Sequence, residues 1–199
     1  MNILTVATTN PGKIREFRLA LQDLHDWSIE PLPAGILEIE ESGTTFIENA
    51  TLKAVHYSRF VQGLALADDS GLSVTALGNR PGVWSARYGA TAEARNQRVL
   101  NELADAEASA DSSNREAAFR CAIVLAESGV VVWSTEAALS GEITREPIGS
   151  AGFGFDPIFF VPKLRKTLAQ LTTEEKNRWS ARGQAISELR LFLSRPLNL

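Results

Sequence analysis

Short apolar runs and helical stripes alternate along this chain. Ile3–Thr8 reads as a buried strand, and the apolar run Leu64–Ala67 leads a second strand, Leu64–Asp68. Between them, Ile14, Phe17, Leu21 and Leu24 recur at helical spacing and predict a helix over 13–24. A strand is expected near Ile29, then a loop over 31–43 carrying Glu38, Glu40 and Glu41. Thr45 and Glu48 have the spacing of a capping box, so a second helix begins there. Its apolar face is Ile47, Ala50, Ala54 and Tyr57, while Asn49 and Lys53 fall one turn apart on another stripe. The Leu64 run ends in Asp68-Asp69 and is expected to turn through Ser70-Gly71.

Residues 78–89 are punctuated by glycine and proline and read as loop, and 91–104 as helix. The small, polar stretch 105–116 is expected to be a flexible excursion. Ala117–Ala126 and Val130–Ala138 read as an antiparallel hairpin joined at Glu127-Ser128-Gly129. A glycine-rich loop over 149–154 precedes a short strand at 158–161, and a last helix is expected over 179–193 with Ile186, Leu189 and Leu193 inward. Early alternation followed by a hairpin predicts an α/β fold: a mixed central sheet, flanking helices, and two lobes of a single domain with a cleft between them for a small ligand.

Composition narrows the partners. With 44% hydrophobic and 22% charged residues in 199, the chain has an ordinary globular mix. A net charge of −4 offers no basic field for nucleic acid, so an anionic substrate requires positive charge gathered locally. Cys121 is the sole cysteine, which excludes an intrachain disulfide and reads as a small buried side chain. His25 and His56, both assigned to predicted helices and distant in sequence, do not make a histidine metal site. No basic leader and no 18-residue apolar run is present, so no membrane association is expected and the cytoplasm is the expected compartment.

Five segments can carry chemistry. Two adjacent carboxylates repel unless a cation or polar partner compensates. Asp68-Asp69 at a strand exit therefore reads either as a solvated acidic turn or as a divalent-metal ligand pair. Thr8-Thr9-Asn10-Pro11-Gly12-Lys13 joins a strand to a helix start, where amide N–H groups and the dipole favour an anion, although an ordinary Asn-Pro-Gly turn has the same residues. Glu40 or Glu41, if either approaches Asp69, adds the hard oxygen ligands that Mg2+ takes, or else simply complements a helix dipole. Phe153, Gly154, Phe155 and Asp156 place aromatic faces and an acid on a loop, suited to a planar base or to plugging the core. Lys176 and Arg182 are cations near a helix start, where most such charges are simply solvated, while Pro81–Tyr88 reads as scaffold or interface with Arg87 an ion-pair former.

Together these segments resemble the inosine triphosphate pyrophosphatase family. The matching stretches are Thr8–Lys13, Glu41–Ala50 with Lys53, Ala67–Leu72, Pro81–Tyr88, Phe153–Pro157 and Thr172–Gly183, in the family's order and across nearly the whole chain. The resemblance implies a two-lobed α/β enzyme, usually a homodimer, that cleaves ITP, dITP or XTP between the α- and β-phosphates with Mg2+. It implies phosphate binding by Thr8 to Lys13 with Lys53 assisting, and metal binding by Asp69 and Glu41 or Glu40. Asp69 would be the base, with Asp68 beside it and Ser70 on the substrate. Phe153 to Asp156, Lys176 and Arg182 would hold the nucleotide, with Arg182 facing the 6-oxo oxygen. The family reads Ser-His-Arg where this chain has Ser180-Ala181-Arg182, so weaker rejection of guanine nucleotides is expected. The competing readings are a non-hydrolytic nucleotide-binding module and a pyrimidine-directed pyrophosphatase of the septum-inhibitor type. Members of the latter begin Ser-x-Ser-Pro-Arg, unlike this chain.

Overall fold

The computed structural model describes residues 1–109 and 114–195. Thirteen regular elements follow in order: β1 (Asn2–Val6), α1 (Pro11–Leu21), β2 (Trp27–Pro31), α2 (Phe46–Tyr57), β3 (Leu64–Val74), β4 (Arg80–Pro81), α3 (Ala92–Ser109), β5 (Glu116–Glu127), β6 (Val130–Ile143), β7 (Phe159–Val161), β8 (Lys166–Thr167), α4 (Thr173–Trp179) and α5 (Ala181–Leu193). Hydrogen bonding orders the strands β2-β1-β3-β5-β6-β7-β8, with β4 on β3. β1 pairs in parallel with both β2 and β3, and β6, β7 and β8 pair antiparallel, so the sheet is mixed, as the alternation of elements implied.

The chain forms two compact units. Unit 1 holds Met1–Asp69, Cys121–Ala137 and the chain from Arg182 on; unit 2 holds Ser70–Arg120 and Ala138–Ala181. In unit 1, Leu4, Phe17, Leu21, Leu64, Leu66, Ile123, Leu125 and Leu189 are buried almost completely. Trp27 Nε1 donates to Leu193 O at 3.2 Å and ties β2 to the end of α5. Unit 2 has its own core, in which Leu72, Val99, Leu103, Phe155, Ile158 and Phe159 meet.

Two departures from the sequence pattern bear on function. Asp68, Asp69, Ser70 and Gly71 do not form a turn; β3 runs straight through them to Val74, buried at nearly every position. Gly71 allows this because a Cβ there would collide with Ser85 Oγ, which accepts from Leu72 N at 2.9 Å. The last helix is two helices. Thr172 caps α4 with a capping box to Glu175, and Ser180 is extended, so α5 starts afresh at Ala181.

The other differences are smaller. α3 continues to Ser109, past the expected end; of the rest of the excursion, 110–113 lie outside the described residues and Glu116 already belongs to β5. His25 lies in a turn beyond α1 rather than in a helix. The hairpin turn is where expected, with Ser128 and Gly129 both at positive φ (50° and 84°), the two-residue geometry that matches strand twist.

Candidate active site

β3 explains how two neighbouring aspartates coexist. Successive side chains of a strand point to opposite faces, so Asp68 and Asp69 do not share a site. Each makes its close contacts with different cations from helices of unit 1, although Lys13 and Lys53 act electrostatically on both.

On one side, Asp68 Oδ2 lies 2.9 Å from Lys13 Nζ of α1 and 3.2 Å from the Arg182 guanidinium of α5. Arg182 also pairs with Glu16, one turn beyond Lys13 on α1. Asp68, Glu16 and Arg182 are all buried, at 2%, 4% and 8% exposure, so these charges depend on one another. Burial alone would raise the Asp68 carboxyl, but Lys13, Arg182 and Lys53 outweigh it and hold the group well below the usual carboxylate range. Arg182 is held above its ordinary range, because Asp68 and Glu16 outweigh its desolvation.

On the other side, α2 presents Asn49 and Lys53 one turn apart. Asn49 Nδ2 donates to Asp69 Oδ2 at 3.3 Å. Lys53 Nζ lies 2.6 Å from Glu41 Oε1 and 3.5 Å from Asp69 Oδ1. Burial raises the Asp69 carboxyl; Lys53 and Lys13 pull it down, Glu41 and Asp68 push it up, and the net direction is upward. Lys53 shifts upward despite its burial, since Asp69, Asp68 and Glu41 favour its charged form. α2 is anchored where the sequence placed its start. Thr45 and Glu48 form the capping box, and Glu48 also takes Thr44 N at 2.7 Å.

Among the described residues no three His, Cys, Asp or Glu side chains gather as a metal cage. Glu41 and Asp69 converge on one ammonium, that of Lys53. Mg2+ is commonly held by one or two carboxylates plus phosphate oxygens and waters. This donor pair fits such an ion when a nucleotide supplies the remaining oxygens. Glu40 is exposed and outside the cluster.

The Thr8–Lys13 segment differs from expectation in one respect. Asn10 Oδ1 accepts from Gly12 N at 2.9 Å and Lys13 N at 3.4 Å, and Pro11 has no N–H. The first amides of α1 are therefore capped from within. What this corner offers an anion is the Lys13 charge and the helix dipole, with Thr8 half-buried and Thr9 exposed beside it.

Unit 2 gathers a second group. Asp156 Oδ2 accepts from Phe153 N and from Lys176 Nζ of α4, both at 2.7 Å. The same Nζ lies 4.1 Å from the Phe153 ring centroid. Gly152 has φ +76°, and a Cβ there would strike the Asp156 carboxylate. Phe153, Asp156 and Lys176 thus form one unit, with Gly154 in the same loop. Phe155 does not join them: its ring is buried in the unit 2 core with Leu72 and Phe159, where apolar packing claims it. Arg182, expected with the base-holding residues, belongs to the Asp68 network of unit 1. Ala181 is buried at the first turn of α5. Arg87 stacks over Trp84 at 4.6 Å. Glu16 escaped the sequence reading, although its place three residues after Lys13 puts both on one face of α1.

A family model described as the Ham1 family matches residues 4–192. A dITP/XTP pyrophosphatase of Pectobacterium atrosepticum is 45% identical over 97% of both chains. One from Escherichia coli is 43% identical over 95% of this chain and 96% of its own. A structure described as a HAM1 protein from Coxiella burnetii superposes with TM-score 0.88 at 41% identity, covering 98% of this chain and 99% of that one. The Staphylococcus aureus Ham1 protein gives 0.83 at 37% identity, covering 96% and 98%.

Proposed function

The chain belongs to the Ham1 family, and from that membership we propose that it hydrolyses the non-standard purine nucleoside triphosphates dITP, ITP and XTP to the monophosphate and pyrophosphate, clearing them from the nucleotide pool. The observation that carries this reading is Asp69. It is a buried strand carboxylate whose proton affinity is raised, with Lys53 and Asn49 on its two oxygens. Phosphoryl transfer asks a protein for charge neutralisation and positioning more than for covalent help. Lys13 and Lys53 supply positive charge for the triphosphate, in a protein whose net charge is negative. Asp69 accepts the proton of the attacking water, for which an elevated carboxylate is better matched near neutral pH than an ordinary one. Asp68 acts by holding Lys13 in place. When bound, a divalent cation, which we take as Mg2+, offsets phosphate charge and makes a bound water more acidic. Glu41 and Asp69 would hold it.

The base is assigned to Phe153, Asp156 and Lys176. The ring gives a stacking face, and the ammonium gives a donor for a 6-oxo group. Adenine has an amine at that position and would leave the donor unpaired, which disfavours it. Ser70, which the alternation along β3 sets on the face opposite Asp69, is assigned to the substrate from the family resemblance. The two units are read as lobes of one pyrophosphatase domain, working as a homodimer in the cytoplasm and without nucleic acid.

Pyrophosphate release measured over a panel of dITP, XTP, ITP, dGTP, dATP, UTP and dTTP, with and without Mg2+, tests the assignment. Release from dITP, ITP and XTP that exceeds release from dGTP and dATP and stops with chelator supports it. Binding without release would favour a nucleotide-binding module, and preference for UTP or dTTP a pyrimidine enzyme.

A further inference from the structure

We propose that Lys53 guards the Glu41 and Asp69 carboxylates in the nucleotide-free enzyme, so that a divalent cation enters only together with the triphosphate. This rests on reading the cluster as the phosphate and metal site, and it adds an order of events to that reading. One ammonium serves both acids: Lys53 Nζ is 2.6 Å from Glu41 Oε1 and 3.5 Å from Asp69 Oδ1. The other oxygen of Asp69 accepts from Asn49 Nδ2 at 3.3 Å, and Asn49 is fixed in turn because its Oδ1 takes Gly43 N at 2.8 Å. A metal ion held by Glu41 Oε1 and Asp69 must therefore compete with donors already on those oxygens.

Charge points the same way. The carboxylates Glu16, Glu41, Asp68 and Asp69 face Lys13, Lys53 and Arg182, an excess of a single negative charge. Asp68 is engaged by Lys13 and Arg182, which leaves Glu41 and Asp69 to be shared between Lys53 and any incoming ion. A doubly charged ion beside that ammonium meets like charge in a site that is largely buried, where water screens it poorly. A triphosphate reverses the balance. It brings several negative charges and acceptor oxygens, and the lysine has a flexible four-carbon stem that can carry its ammonium to them while α2 stays in place. Glu41 and Asp69 are then released to the cation. By linkage, the metal must favour nucleotide binding by the same factor as the nucleotide favours metal binding.

The test is Mn2+ affinity, followed by calorimetry or electron paramagnetic resonance on the intact protein with no turnover. Wild type and Lys53→Met are each titrated with Mn2+ alone and with Mn2+ in the presence of an α,β-methylene analogue of dITP. Wild type is expected to bind Mn2+ at least about 100-fold tighter with the analogue than without it, the upper part of ordinary coupling between sites. Lys53→Met is expected to bind Mn2+ without analogue at least about tenfold tighter than wild type, the least that removing a unit charge near the ion should give. Lys53→Arg retains the charge and is expected to keep the guard, with circular dichroism reporting the fold of each variant. Equal Mn2+ affinity in wild type with and without analogue, or no gain in Lys53→Met, overturns the proposal. If no form binds Mn2+ and pyrophosphate release is metal-independent, the metal reading itself fails and takes the guard with it. Tight binding of Mn2+ by nucleotide-free wild type, with turnover still metal-dependent, removes the guard alone.

Discussion

Replacing Arg182 by methionine should destabilise the protein sharply, and the size of the loss follows from its surroundings. The guanidinium spans Glu16 and Asp68, whose side chains are 5% and 0% exposed. Removing one member of a buried ion network costs about 3–5 kcal/mol, because the charges left behind stay desolvated. Asp68 keeps Lys13 at 2.9 Å, so the main penalty falls on Glu16, and about 3 kcal/mol is expected. For a chain of this size each kcal/mol lowers Tm by about 2–4 °C, hence a drop of about 6–12 °C. Urea unfolding at neutral pH, with midpoint and slope both recorded, measures it. Adding Glu16→Gln removes the unmatched charge and should return about 1 kcal/mol or more, so the two changes are non-additive. The deficit should shrink as pH falls through the carboxylate range, because protonation neutralises the acid that lost its counter-charge. A single variant within about 1 kcal/mol of wild type, or strictly additive effects, would refute the buried network.

Other outcomes follow from the same geometry. Asp69→Asn is nearly isosteric and should keep the fold while turnover falls by about 100-fold or more; near-normal rates would remove Asp69 from the base role. Asp68 is held below its usual range, so its contribution to stability is complete above about pH 4 and is lost as pH drops further. Asp68→Asn should therefore flatten the acid limb of a stability-against-pH curve, and an unchanged limb contradicts the pairing. Gly152→Ala would press a methyl group on the Asp156 carboxylate at a positive φ, and should raise KM for dITP more than it lowers kcat. Ala181→His should sharpen the preference for dITP over dGTP in a turnover assay, and an unchanged ratio removes that position from base selection.

Local patterns revealed the elements and hid the partners. The Thr45–Glu48 capping box, the Asn49 and Lys53 stripe and the Ser128-Gly129 turn are all signalled within a few residues, and each is found in the structure. The Asp68–Gly71 stretch misled because its residues disfavour strands on propensity; in β3 that preference is overridden by burial and by cations brought from α1, α2 and α5. The link between Glu16 and Arg182 spans 166 positions, beyond any periodicity. Phe155 looked like a ligand-facing aromatic because it lies in a glycine-rich loop, yet Gly152 and Gly154, both at positive φ, let that loop fold its second ring into the core.

Hydrolysis of dITP in water enriched in 18O tests most directly whether an Asp69-centred cluster sends water to the innermost phosphorus. Mass spectrometry should find one labelled oxygen in dIMP and none in pyrophosphate, with Asp69→Asn nearly silent. Label in the pyrophosphate, or release of orthophosphate, would mean that water attacks another phosphorus and that this assignment is wrong.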